Sequence, residues 1–180
     1  GVLRFGGGHM RLLSTTRASL SRLEASGAGE FQLYKGMLDV RKAKIVMNGA
    51  LATRIGWGTL RLDPEQIEAL TAAGGKLTLT RATLDLGETV TLTADMVRRW
   101  RSNDRIKSDY LTCRTGNLTL KGESFDFDCR VEADVLTLDN NGSPVTLTSG
   151  MLEFKGKKGE TSRLLGDGLT LDDSQSANRR

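Results

Sequence analysis

Histidine occurs once in this chain, at position 9, and that bounds the chemistry it can do. A Ser-His-Asp set, a Cys-His dyad, a zinc cage and an HExxH helix all need histidines that are not present. The glycine run Gly6–Gly8 is not followed by Gly-Lys-Ser/Thr and opens no helical pattern, so it reads as a flexible joint rather than a phosphate cradle. Among the 22 acidic residues no pair is marked out for general acid–base work. The sequence therefore predicts no catalytic residues, no cofactor and no metal ligands. Cys113 and Cys129 are the only cysteines. Their separation matches no metal spacing. A disulfide in an oxidising compartment and a pair of small buried apolar side chains both fit them.

The remaining chemistry is that of cations. Net charge is +4 and the isoelectric point is near 9.3. Arg98, Arg99, Arg101, Arg105 and Lys107 crowd around Trp100, and Lys155, Lys157 and Lys158 form a second cluster. Such clusters serve as solvated faces or as seats for phosphate, including an anionic lipid headgroup. Aromatic residues make up 5% of the chain, too few to interleave with the cations as a base-stacking platform, so nucleic acid is not an expected partner.

The elements that must position these groups are mostly strands. The chain has 180 residues, enough for one domain or at most two small ones. No window of 18 apolar residues and no leader pattern occurs; the expectation is a cytosolic protein, or one whose leader or anchor lies outside this sequence. From about residue 76, apolar residues alternate with Thr or charge. Leu77 and Leu79, Val90 to Met96, Leu118 and Leu120, Phe125 to Val131, and Val145 with Leu147 are the clearest runs. Period two places one set on a buried sheet face. Gly or Asn breakers recur every 8–12 residues, with Gly87-Glu88 reading as a tight hairpin and Asp139–Gly142 as a turn. One helix is signalled at about 64–73, with Asp63 as N-cap, Pro64 at its first position and Gly74 at its end. Residues 1–10 read as a linker, 11–173 as one domain and 174–180 as a disordered tail.

Several ordered pieces resemble the LptC/LptA (OstA-like) family of periplasmic lipopolysaccharide-transport proteins. They are Leu23–Ala28, Leu38–Ala43, Leu92–Met96, Leu118–Gly122 and Gly166–Asp172. The segments Asp63–Gly74 and Arg98–Lys107 are not part of the usual family pattern. The resemblance implies an all-β fold, a slit-opened β-jellyroll of stacked antiparallel strands, here with one short helix. It implies a periplasmic carrier that holds lipopolysaccharide or a related glycolipid, docks other Lpt-type jellyrolls edge to edge, and meets the membrane only through an anchor outside this sequence. On that reading Leu79, Leu92, Met96, Leu120, Phe125, Phe127 and Leu147 line the groove for acyl chains, and Arg98, Arg99 and Arg101 face the headgroup. The alternative is a β-solenoid structural or polymer-forming protein, similar to bactofilins.

Overall fold

The computed structural model describes residues 1–13, 16–155 and 159–172. Lys157, Lys158 and the expected tail at 174–180 lie outside them. In chain order the elements are β1 (Val2–Phe5), β2 (Gly8–Leu12), β3 (Arg17–Ser19), β4 (Arg22–Ala25), β5 (Gly29–Tyr34), β6 (Met37–Asp39), β7 (Lys44–Met47), β8 (Leu51–Gly56), β9 (Thr59–Arg61), α1 (Pro64–Leu70), a 3-10 turn (Ala72–Gly74), β10 (Lys76–Thr80) and β11 (Thr83–Asp85). Then come β12 (Thr89–Thr93), α2 (Ala94–Ser102), β13 (Ile106–Asp109), β14 (Thr112–Lys121), β15 (Ser124–Asp139), β16 (Val145–Lys155), β17 (Thr161–Leu165) and β18 (Leu169–Leu171). The chain divides into two compact units, Gly1–Asp85 with Asn103–Leu111, and Leu86–Ser102 with Thr112–Arg180.

The first unit overturns the antiparallel jellyroll. Its strands are parallel, in the orders β1-β4-β7, β2-β5-β8-β10-β13 and β3-β6-β9-β11. The chain visits each sheet in turn, and every circuit lays its strand beside the one before. Val2 pairs with Arg22 and Arg22 with Lys44, while Gly29 pairs with Leu51 and Met37 with Thr59. This is solenoid geometry. Period-two alternation is the same in both strand senses, so it could not separate a stack of parallel rungs from a meander. Residues 1–10, expected as a linker, supply β1 and the start of β2, with Gly6 and Gly7 bending the chain between them.

The interior is made by like residues stacked in register. Met10, Phe31, Thr53, Leu77 and Ile106 form one row, and Leu33, Ile55 and Leu79 lie in the next. Phe31, Leu33, Ile55, Leu77 and Leu79 are all but fully buried. Phe5 meets Phe31 edge to face at 5.8 Å. The helix forms where its signals stand, starting at Pro64 after Asp63. The Gln66 side chain accepts the Asp63 N–H at 2.8 Å and donates to the carbonyls of Val40 and Ala43. Pro64, Ile67 and Leu70 are buried, and α1 packs on β7. It thus covers the outer edge of the β1-β4-β7 sheet, where a further strand would otherwise go.

The second unit is also built on parallel pairing. β12 pairs with β14, β14 with β15, and β15 with β16. Two strands, β17 and β18, run antiparallel to β16. Val90, Leu118 and Leu136 stack in one buried row. Gly87 and Glu88 turn the chain between β11 and β12, but those strands do not pair, so the expected hairpin is absent. Asn140–Ser143 forms a turn as expected, closed by the Ser143 N–H on the Asn140 carbonyl.

Candidate functional site: a cation–aromatic corner

Four residues of the first unit end successive strands of one sheet: Lys35 after β5, Trp57 after β8, Arg81 after β10 and Tyr110 after β13. All four have positive φ, at 68°, 58°, 50° and 54°. The ladder runs on through them. The Lys35 N–H donates to the Gly56 carbonyl, that of Trp57 to Thr80, and that of Arg81 to Asp109. The four side chains therefore leave one corner of the stack on consecutive rungs. At the usual strand spacing of about 4.8 Å, the column is roughly 14 Å long.

The left-handed backbone region disfavours L side chains by about 1–2 kcal/mol per residue. Glycine fills it freely, and the chain uses glycine for other positive-φ positions such as Gly87 and Gly142. Here large side chains stand instead, and they interact. The Arg81 guanidinium carbon lies 5.0 Å from the Trp57 ring centre and 4.4 Å from that of Tyr110. Lys35 Nζ lies 5.4 Å from the Tyr34 ring centre. Trp57 is 55% exposed and Tyr110 is 70% exposed. Rings this open contribute little to a core, while their π faces hold a cation in place.

This column was not among the residues singled out in the sequence. Its members are far apart in the chain, and only the positive φ at the end of each strand aligns them. A large residue followed by glycine directly after a strand, as in Lys35-Gly36 and Trp57-Gly58, was the one available signal.

The residues that were singled out lie elsewhere. Leu79 is buried in the first unit, and Leu92, Leu120, Phe125, Phe127 and Leu147 are buried in the second. Met96, expected on a strand, sits on α2 and is half-buried. The helix begins there because the Thr93 hydroxyl caps it, accepting the Met96 N–H at 3.1 Å. Arg98, Arg99 and Arg101 share that helix. They border an open hollow of about 690 Å³ together with Asp95, Ser102 and Asp126. Arg98 pairs with Asp95, and Arg101 reaches Asp126 at 3.5 Å and Asp128 at 3.2 Å, so acids offset this cluster's charge. In the first unit, a cavity between Leu3, Leu23, Phe31, Leu51 and Leu70 measures about 10 Å³, room for one water at most.

Cys113 is buried and Cys129 half-buried, and both thiols are free. The hydrogen bond with Cys129, with burial behind it, pushes the Cys113 thiol well above its ordinary pKa. Among the described residues no group of three His, Cys, Asp or Glu is placed to hold a metal ion, and no helix is long and apolar enough to cross a membrane. No family model, curated protein or solved structure matches the chain.

Proposed function

We propose that this chain is a non-catalytic scaffold of the β-solenoid type, whose working surface is the corner column of Lys35, Trp57, Arg81 and Tyr110. One observation carries the reading: Arg81 lies over two exposed rings on neighbouring rungs, at backbone positions where large side chains are held against their conformational preference. Glycine or asparagine is the residue that meets such a backbone at least cost. Stacked parallel rungs provide the rigidity that such a surface needs: β5, β8 and β10, which carry Lys35, Trp57 and Arg81, each pair with a strand on both sides, and β13 pairs with β10. Holding acyl chains instead would require the packed rows around Leu92, Leu120, Phe125 and Leu147 to part.

Two measurements test this. Trp57→Ala and Tyr110→Ala should each lower stability by no more than about 1 kcal/mol, the scale of an exposed cation–π contact. Native mass spectrometry of gently purified protein should show the bare chain. One equivalent of bound lipid, or a loss of several kcal/mol in either variant, would overturn the proposal, the first outcome in favour of a lipid carrier.

A further inference from the structure

Beside the corner column, the outward face of the same sheet carries a second column. Arg11, Gln32, Arg54, Thr78 and Lys107 lie in register across β2, β5, β8, β10 and β13. Cations thus stand on every second strand, about 9.6 Å apart at the usual strand spacing, with an amide or a hydroxyl between them. Arg11 Nε donates to Gln32 Oε1 at 3.0 Å, which ties that side chain to its neighbour on the next rung. Arg54 is 3.6 Å from Glu30 and remains half exposed. The next column out adds Lys76, opposite Ala52, and Arg105 stands exposed in the turn just before β13. With Lys35 and Arg81 the face presents seven Lys and Arg side chains against Glu30 and Asp109.

We infer that this face binds an extended acidic polysaccharide lying across the strands, with its carboxylates or sulfates on Arg54 and Lys107 and its sugar rings against the Trp57–Arg81–Tyr110 corner. The inference rests on the corner column being a binding surface. Three features select the partner. The excess of cation calls for a polyanion. A cation on alternate rungs suits a polymer with one acid group per two sugars, since two extended pyranose units span a comparable length. The exposed rings give the apolar C–H face of a sugar a surface to pack on, and the guanidinium edge between them offers donors to its oxygens. Single-stranded nucleic acid would use the same cations and rings, and the oligonucleotide arm of the experiment separates it from an acidic polysaccharide.

The experiment is a fluorescence or calorimetric titration of the full chain with hyaluronan decasaccharide, with neutral dextran of similar length and a dT20 oligonucleotide as comparisons. The expected result is saturable binding of the acidic oligosaccharide that weakens as salt rises. Arg54→Gln with Lys107→Gln should weaken it at least tenfold, and so should Trp57→Ala, with the circular dichroism spectrum unchanged and the melting midpoint within a few degrees of the parent's. Absence of hyaluronan binding, equal binding of dextran, or equal or tighter binding of dT20 would overturn the inference. In each of those cases the bare mass and small stability effects expected of the scaffold reading can still hold, so the two can fail separately.

Discussion

The Arg81 guanidinium sits 4.4 Å from the centre of the Tyr110 ring, and both residues occupy the left-handed region that ends their strands. Contact and backbone act in opposite directions. An exposed cation–π contact contributes about 0.5–1 kcal/mol, while the left-handed conformation costs an L residue about 1–2 kcal/mol. Glycine removes that cost but gains roughly 0.5–1 kcal/mol of unfolded-state freedom. Lys35→Gly, which gives up a single exposed contact to Tyr34, should therefore stay within about 1 kcal/mol of the parent in either direction. Arg81→Gly, which gives up two, should be neutral or slightly destabilised. Urea denaturation reads both. A loss of about 2 kcal/mol or more for Lys35→Gly, on the order of a lost core contact, would mean that the lysine stabilises the fold.

Close approach of neighbouring rungs imposes the opposite demand at Gly49. A Cβ there would meet the backbone N, O and C of Gly27 at 2.6, 2.7 and 2.8 Å. Backbone cannot swing aside as a side chain can, so Gly49→Ala must push two rungs apart. A loss of about 1–3 kcal/mol is expected, read as a lower melting midpoint. An unchanged midpoint would show that this corner opens without resistance.

Which parts of this architecture were readable beforehand follows from what each signal encodes. The α1 helix was legible because Asp63, Pro64 and Gln66 act within a few residues of one another. The strands were legible because Leu77 and Leu79 share a face whichever way their neighbours run. Strand direction was not. It depends on which distant residue lies opposite, Ala52 for Lys76 and Ile106 for Leu77, and circuits of unequal length hide that recurrence. The α2 helix was missed for a different reason: Leu92, Ala94 and Met96 continue the alternation of β12, while the Thr93 cap that ends it is one more threonine among many. The basic stretch reads as one cluster in the sequence, but the structure divides it: Arg98, Arg99 and Arg101 lie on α2, while Lys107 lies on β13 with Arg105 just before it. The acidic partners of Arg101, Asp126 and Asp128, come from another strand and left no local signal.

The two cysteines should respond differently to alkylation. Cys113 is buried and its thiol is shifted upward, chiefly by the hydrogen bond with Cys129. A raised pKa leaves less thiolate at any given pH, and the thiolate is the nucleophile. Iodoacetamide at about pH 8 should thus modify Cys129 first in the native protein, with Cys113 following only after denaturation. Peptide mapping checks the order, and faster labelling of Cys113 would contradict its buried placement.

Acid should weaken the first unit through Asp39. Arg41 grips this carboxylate with two hydrogen bonds, 3.0 and 2.8 Å long, and holds its pKa below the ordinary 3.8. A carboxyl with a depressed folded pKa stabilises the fold above its unfolded pKa, and that contribution is lost as pH falls through the folded value. Asp63 works in reverse, because burial raises its pKa and protonation favours its folded form. Asp39→Asn should therefore lower stability at neutral pH and flatten the loss below about pH 4. Asp63→Asn should steepen the loss on that acid limb. Melting midpoints from strongly acidic to neutral pH distinguish the two variants, and identical acid limbs for Asp39→Asn and the parent would remove Asp39 from the account.

Phe127→Glu separates a packed interior from a lipid-lining wall. Phe127 is 8% exposed, and its ring stacks on that of Phe125 with centres 5.7 Å apart. Phe125 in turn lies opposite Leu147 of β16, so the pair sits inside the second unit's rows. Removing a buried phenylalanine costs about 3–5 kcal/mol, and an unpaired carboxylate in its place adds several more unless it takes up a proton. Together these approach the whole stability of a small domain, about 5–15 kcal/mol. The variant should lose cooperative melting in the second unit at neutral pH and recover part of it near about pH 4, where the new carboxyl is neutral. Phe127→Leu, which keeps the site apolar, should fold with a moderately lowered midpoint. If Phe127→Glu instead melts cooperatively near the parent's midpoint at neutral pH, water already reaches this wall, and the interior is an open groove rather than a core.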